Sequence, residues 1–524
     1  MITMAGRTTA ERMRERWVLA ATIIASSMAF IDMTIVNVAL PILQENLRAS
    51  FAEAQWVVEA YTLLLSALIL AGGAIGDLYG RRRVFSLGIC LFALSSAACG
   101  LAPEPMTLII ARAVQGIGAA LMMPGSLAIL SATFPPERQG QAIGLWSAST
   151  SICVAIAPAF GGWLIEISSW RWVFLINLPF AVIALAILHS RVPESRARHR
   201  HRLDWPGMVL GTLGLGCLTY GLIEGGHAGF GHPAVPATLA LGVIALLAFI
   251  FTESRNLTPM VPMELFRRAG FAGIQAFTFC LWAALSGALF FVPFRLMQIQ
   301  SFNPLQAGIA LLPFVIIVSI LSRWAGKLSD RLGPRLPLIV GALFAGCGFV
   351  WLAVPNAEAN YLHGFMPALI TIGIGMGICV APVTVAAMQA AGSDRVGIAS
   401  AINNMAARTG GLMAVAVFGL ILAHRFGTVL DRTLAGLDLP PEALQALAAE
   451  RAKLAAAHLP DMLTAAQQAA VSQAIKEAFV SGYRWAMAAA GLLAFLSAII
   501  AAVSLRKMGN EAKAPLPPGG ADFG

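Results

Sequence analysis

Long apolar runs separated by short polar turns make up most of the chain. A helix needs about 20 apolar residues to cross a bilayer. Runs of that length are expected near 17–41, 54–76, 84–102, 106–130, 141–166, 172–190, 205–225, 234–253, 271–295, 305–326, 337–355, 361–389, 396–424 and 481–505. They group as six, then two, then six, giving fourteen spans. The expected fold class is an all-α polytopic membrane protein of two six-helix bundles plus two inserted helices.

A short polar pattern supports the duplication. Gly73, Asp77, Gly80 and Arg82 recur, at the same spacing, as Gly326, Asp330, Gly333 and Arg335. Each copy follows an apolar run and forms a charged turn. Internally repeated bundles in membranes are the usual build of secondary transporters. The expected organisation is an N-terminal segment 1–16, a first bundle 17–191, and a segment 192–270 that holds a basic loop, inserted helices seven and eight, and a linker. The second bundle is 271–505, with a long outer loop 425–480, and a disordered tail 506–524 follows.

Composition agrees with lipid as the solvent. Hydrophobic residues are 58% of the chain and charged residues only 12%, with a mean hydropathy of +0.77. A soluble domain carries about 25% charged residues. All seven cysteines fall inside apolar runs, so they read as small packing residues rather than a disulfide framework or metal site. The basic N-terminus imitates a signal peptide, but its apolar run continues through Pro41 and further spans follow, so it is read as an uncleaved first helix.

The net charge of +9 is a matter of orientation, not of nucleic acid. Cytoplasmic loops carry an excess of Lys and Arg. With the N-terminus inside, the inner segments hold Arg7 to Arg16, Arg81 to Arg83, Arg138, Arg191 to Arg202, and Arg255, Arg267 and Arg268. They also hold Lys327, Arg331 and Arg335, then Arg395, then Arg506, Lys507 and Lys513. The short outer loops hold Arg48 and Arg171, with Arg295 near an outer helix end. Both termini are therefore expected in the cytoplasm. The outer segment 425–480 reads as two short amphipathic helices, Pro441 to Ala456 and Ala465 to Phe479, joined near Leu459-Pro460. It is a lid, a spacer or a docking place for an outer partner.

An ionisable residue inside a span is costly and marks function. Asp32 in span one, Glu59 in span two, Arg112 in span four and Arg408 in span thirteen are the four that stand out. Asp32 loses its hydration there, and such a carboxylate can take a proton outside and release it inside. Trp56, Glu59 and Leu63 share a helical face. An aromatic beside a carboxylate suits a cationic, apolar ligand. Arg112 and Gln115 lie one turn apart, and Arg112 is expected either to pair with Asp32 during coupling or to lock spans one and four together statically. Asn404 and Arg408 also share a face. Further cavity candidates are Tyr61, Trp146, Trp282, Phe290 and Gln298, although each aromatic taken singly is better explained by packing or lipid contact.

The turn Gly73 to Arg83 needs glycine for tight geometry. Asp77 is expected to cap a nearby helix N-terminus, and Arg81 and Arg82 to pair across the two halves as a gate. Pro158 kinks span five, and Gly161 and Gly162 allow another helix to approach closely. That segment is a hinge or seal, or a merely kinked packing helix.

These residues together resemble the major facilitator superfamily, and specifically its fourteen-span drug:proton antiporters. The first-helix signature is similar to Asp32-x-Thr34-Ile35-Val36-Asn37-Val38-Ala39-Leu40-Pro41. The inner-loop signature is similar to Gly73 to Arg83, and the fourth-helix signature to Arg112-x-x-Gln115-Gly116. Trp170 to Pro179, Gly308 to Pro313, and Ala399-Ser400-x-x-Asn403-Asn404 also match. The sequence departs from the pattern at Cys153 and Ala157, where span five has glycine in the family, and at Leu78, where a basic residue is usual. The resemblance implies the major facilitator fold with a central cavity and alternating access. It also implies proton-driven efflux of amphipathic, often cationic drugs from the inner bacterial membrane. By that pattern Asp32 and Arg112 couple protons, and Glu59 attracts substrate or protons. The proton is the coupling ion, and no other cofactor is expected. Membrane lipid and a small amphipathic substrate are the expected partners.

A dedicated exporter of one native metabolite, lipid or antibiotic fits the same residues. A non-transporting receptor or scaffold is a third reading, one that would tolerate Asp32→Asn. An enzyme is the least favoured reading, since the sequence carries no nucleophile–base constellation, metal spacing or phosphate loop. Gly373, Gly375 and Gly377 lie inside a span and read as helix packing.

Overall fold

The computed structural model describes residues 9–196, 204–256, 259–392 and 396–505, with side chains described there except at 9–12, 136–137, 330 and 396–397. The expectations for Arg7, for the side chains of Arg12 and Asp330, for Arg395, for loop residues 197–203 and for the tail 506–524 fall outside those limits. Every regular element among the described residues is helical.

The first bundle comprises α1 (Thr9–Asn46), α2 (Phe51–Tyr79), α3 (Arg81–Gly100), α4 (Pro105–Thr133), α5 (Pro136–Ile167), α6 (Trp172–Leu175) and α7 (Asn177–Arg191). The inserted pair is α8 (Trp205–His227) and α9 (Ala234–Arg255), followed by the short α10 (Met263–Phe266). The second bundle comprises α11 (Ala269–Phe294), α12 (Pro304–Ala310), α13 (Leu312–Leu332), α14 (Arg335–Leu352), α15 (Tyr361–Gly364), α16 (Met366–Ala391), α17 (Val396–Leu434), α18 (Pro441–Glu450) and α19 (Ala465–Ser504). Fourteen helical segments are long and apolar enough to cross a membrane among the described residues, and the chain is a multi-pass membrane protein. Three spans are broken near their ends, between α6 and α7, α12 and α13, and α15 and α16. Pro179, Pro313 and Pro367 each lack the N–H that would have bridged the break.

The repeat has a structural counterpart. Gly80 (φ +113°) is the whole joint between α2 and α3, and Gly333 (φ +75°) lies in the joint between α13 and α14. A side chain at such a φ costs about 1–2 kcal/mol. The repeat also extends backward in the same register. Ser50 and Glu53 form a capping box on α2, and Asn303 and Gln306 form one on α12. Gly80→Ala is expected to destabilise the protein by about 1–2 kcal/mol, because a Cβ there would also lie 2.8 Å from the Glu194 carboxyl. A lower thermal midpoint in detergent checks this.

An even number of spans brings the start of α1 and the end of α19 to one side, here called the terminal face. The inserted pair lies along one seam between the bundles, with α8 against both α2 and α17. The other seam is closed by α5 against α12 and α13.

The long loop is shorter than the sequence suggests. α17 continues to Leu434, and α19 runs unbroken for 40 residues from Ala465, so the Ala465 to Phe479 helix is part of span fourteen. Forty helical residues are about 60 Å long, roughly twice the hydrocarbon thickness. Nothing between Phe479 and Gly482 interrupts the helix, and Thr464 with Gln467 caps its start. Buried Phe426, Leu430, Val471, Ile475 and Phe479 line the packed faces of the two extensions. The remaining connection, 435–464, buries Leu439, Leu447, Leu454 and Leu463 and folds over the face opposite the termini. Arg451 holds Asp431 there through two hydrogen bonds of 3.1 and 3.0 Å.

Candidate functional site

Asp32, Arg112 and Gln115 come together in the middle of the first bundle, each 1% exposed or less. The Arg112 Nη1 donates to Asp32 Oδ2 in a short ion pair, and to Gln115 Oε1 at 2.7 Å. Its Nε donates to the Val57 carbonyl at 2.9 Å. The guanidinium also lies 4.3 Å from the Tyr61 ring centroid. Gln115 Nε2 donates to Asp32 Oδ1 at 3.0 Å and to Ser96 Oγ at 3.3 Å. Ser96 accepts from Asn177 Nδ2 at 3.0 Å and donates to the Phe174 carbonyl at 2.8 Å. Four helices, α1 to α4, and the start of the sixth span thus hold one carboxylate and one cation in register. Ser96 was not singled out from the sequence. A lone serine in an apolar run gives no signal until its neighbours are known.

Through Arg112 and Tyr61 this network meets a central cavity of about 450 Å³ between the two bundles. Arg112, Glu59 and Tyr61 line it from the first half, and Trp282, Phe290, Phe314, Asn404 and Arg408 from the second. Glu59 is buried, and its Oε2 has no hydrogen-bond partner. An ionised oxygen so placed is costly until a proton or a cation meets it. A second cavity of about 300 Å³ lies on the terminal-face side, lined in part by Gly73, Met123 and Trp146. Phe30, Asn404 and Arg408 line both cavities, so the two adjoin at these residues.

Three candidates lie elsewhere. Trp56 turns away from the cavity and meets Tyr220 of the inserted α8, at 6.3 Å between centroids. Its helical face was legible, but not which helix would cover it. Gln298 sits in a π-helical turn, Arg295–Ile299, and donates to Gln44 at 3.0 Å on the face opposite the termini. Gln115 stands behind the cavity wall, committed to Asp32.

The cavity is closed on that opposite face. Gly162 on α5 abuts the Pro304 carbonyl, and Gly308 on α12 abuts the Pro158 carbonyl, so two backbones touch where side chains are missing. Gly161 packs on Ile35. Gln55 donates to the Val415 carbonyl at 3.0 Å, and Phe51 packs among Phe290, Phe291 and Phe294 at 5.5–6.4 Å. Gln44 donates to the Lys453 carbonyl at 3.1 Å, tying the loop to α1.

At the terminal face the turn residues bond within their own halves. Among the described residues Asp77 accepts from Arg81 Nε at 2.8 Å, and Arg81 Nη1 reaches the Ala128 carbonyl at 3.2 Å. Arg82 Nη1 donates to the Val192 carbonyl at 3.0 Å, and Arg335 Nη2 to the Ala502 carbonyl at 2.8 Å. The cap on α3 comes instead from Glu194, whose oxygens accept from the Arg82 and Arg83 N–H groups at 3.0 and 3.1 Å. The bonds that Arg81 and Arg82 make among the described residues stay within the first half, so the expected pairing across the halves is not among them. Gly76 and Gly140 have nothing within 4 Å of a would-be side chain, and Gly326 meets only Ala381.

Known proteins place these features. A profile of the Major Facilitator Superfamily matches residues 22–415. The chain is 34% identical over 414 residues to the multidrug resistance protein Stp of Mycobacterium tuberculosis, covering 79% of this chain and 77% of the relative. It is 30% identical over 501 residues to a tetracenomycin C resistance and export protein of Streptomyces glaucescens, covering 95% of this chain and 93% of the relative. Among solved structures, an inward-facing, unoccupied bacterial homologue of the human lysosomal transporter Spinster superposes with a TM-score of 0.69. It has 17% identity, with 98% of this chain and all of that chain covered, a likeness of fold. With two helical bundles around a charged central cavity and relatives of this kind over most of its length, the chain belongs to the major facilitator superfamily and is a membrane transporter, not an enzyme.

Proposed function

We propose that this transporter exports hydrophobic or amphipathic organic compounds in exchange for protons by alternating access. The observation that carries the reading is the Asp32–Arg112 ion pair, whose arginine lines a cavity closed on one face. A buried ion pair is weak evidence for stability, because removing charges from water costs nearly what their attraction returns. Its placement where both halves meet the cavity favours a coupling role over a static lock. The export sense is drawn from the relatives, one of them an export protein by name.

In this reading the protein sits in the cell (inner) membrane with the terminal face cytoplasmic, the side that the distribution of Arg and Lys supports. The present conformation takes substrate from the cytoplasm, since the loop 435–464 and the glycine contacts close the other face. Reversal parts Gly162 from Pro304 and brings the terminal-face turns together. A proton arriving from outside then neutralises Asp32 and releases Arg112, while Glu59 exchanges its own proton with the cavity. Arg112 keeps Gln115, the Val57 carbonyl and the Tyr61 ring as neutral partners, so the pair can open without stranding the cation.

Glu59→Gln tests the second carboxyl. Coupling free energies between sites run about 1–3 kcal/mol, or roughly 5- to 150-fold. Proton-driven flux in proteoliposomes is expected to fall by about tenfold or more, with protein yield and melting unchanged, because Glu59 Oε2 has no partner to lose. Unchanged flux across the pH range would remove Glu59 from the cycle. Dedicated export of a single native compound uses the same machinery and differs only in the breadth of substrates.

A further inference from the structure

We infer that Arg408, with the Tyr61 hydroxyl, is a receptor for an acidic oxygen of the substrate, so that the preferred cargo is an apolar body carrying a carboxylate, phenolate or enolate. This rests on the export reading and names its substrate class, and it departs from the cationic cargo that the family resemblance implies.

Arg408 lines both cavities, at the neck between them. Its Nη1 and Nη2 rest on thioether sulfurs, Met33 Sδ and Met123 Sδ, each at 3.4 Å, and its Nε has no partner. Thioether sulfur is a weak acceptor, and guanidinium is a fork of donors that does not lose its proton. The strongest partner it can find is an oxyanion, held by two parallel charge-assisted bonds. No carboxylate of the described residues pairs with it. Asp32 is already taken by Arg112 and Gln115.

Tyr61 adds a second donor. Tyr61 lines the same cavity, and its hydroxyl is buried without a partner. Such groups stay unpaired at a cost unless something else completes them. The rest of the wall combines apolar and aromatic side chains, among them Phe30, Trp282, Leu289 and Phe314, with the polar Asn37, Arg112 and Asn404 and the carboxyl of Glu59. A cationic cargo entering from the terminal face would have to pass a like charge in a poorly screened neck. An anionic cargo leaving the cell and a proton entering both run down an inside-negative membrane potential, so the charge sign also suits the energetics.

The test uses one ring system with three charges: 2-naphthylacetate, its methyl ester, and 2-(2-naphthyl)ethylamine. Binding to purified full-length protein is measured by equilibrium dialysis at pH 8, for wild type, Arg408→Gln, Arg408→Lys and Tyr61→Phe. Wild type is expected to bind the acid about tenfold or more tighter than the ester or the amine. Arg408→Gln should bring the acid to the level of the ester, Arg408→Lys should keep part of the preference, and Tyr61→Phe should reduce it by a few-fold. A monodisperse elution profile and continued binding of the ester show that a variant is folded. Equal or tighter binding of the amine by wild type overturns the proposal, as does an acid preference that survives in Arg408→Gln, or binding of none of the three. Proton release on transport, measured on the same wild-type protein, is a separate readout: its absence with acid binding intact sinks only the antiport reading.

Discussion

Arg112→Leu is expected to destabilise the protein by about 3–5 kcal/mol, the usual result of stranding one member of a buried pair, and Asp32→Asn by less, because Arg112 keeps Gln115, the Val57 carbonyl and the Tyr61 ring; both are expected to abolish proton-coupled transport. The combined variant Asp32→Asn/Arg112→Leu is expected to regain most of that stability, because neither charge remains. Double-mutant cycles isolate such a coupling only when each change removes the contact without adding another. Asn is nearly isosteric with Asp and can still bond Gln115, which meets that condition at Asp32. A static lock between α1 and α4 would predict that recovered stability brings coupled transport back. The coupling role predicts a melting temperature near wild type with coupled flux still absent. The comparison separates the two readings that the sequence alone leaves open.

The contact between Gly162 and Pro304 carries the second large effect. A side chain at Gly162 would run into the Pro304 backbone, and one at Gly308 into the Pro158 backbone, with no flexible side-chain end to yield. Overpacking of this kind costs about 1–3 kcal/mol, which shifts a conformational equilibrium roughly 5- to 150-fold. Gly162→Leu is therefore expected to depopulate the conformation closed on the face opposite the termini. Glu166 and Asn303 report on it, since Asn303 Nδ2 donates to Glu166 Oε1 at 3.3 Å across the seam. In a background whose native cysteines are replaced by alanine, Glu166→Cys/Asn303→Cys should cross-link readily. Adding Gly162→Leu should slow that cross-linking by about tenfold. Unchanged cross-linking would mean that the contact is packing within a fixed wall rather than a seal that parts.

Much of this arrangement could be read from residue patterns. The apolar runs located the spans, since lipid tolerates few other spanning structures. Asp32, Arg112 and Gln115 were legible because charge in a span has few explanations, and the structure joins all three. What escaped the sequence depends on neighbours distant in the chain. Trp56 meets Tyr220, Gln298 meets Gln44, and Glu194 rather than Asp77 caps α3. The extra turns of α17 and α19 escaped for a different reason. Residues 465–480 are polar enough to read as a separate amphipathic helix, yet no proline or turn divides them from the span. The capping boxes at Ser50–Glu53 and Asn303–Gln306 were in plain view and extend the repeat beyond the turn motif.

The central claim is that substrate leaves in exchange for a proton carried through Asp32. Substrate-driven proton release in proteoliposomes, with an acidic, a neutral and a cationic amphiphile under an imposed pH gradient, tests it most directly. The account predicts proton movement with at least one of these in wild type and none in Asp32→Asn. Substrate flux that persists without proton movement, or proton release undiminished in Asp32→Asn, would contradict it.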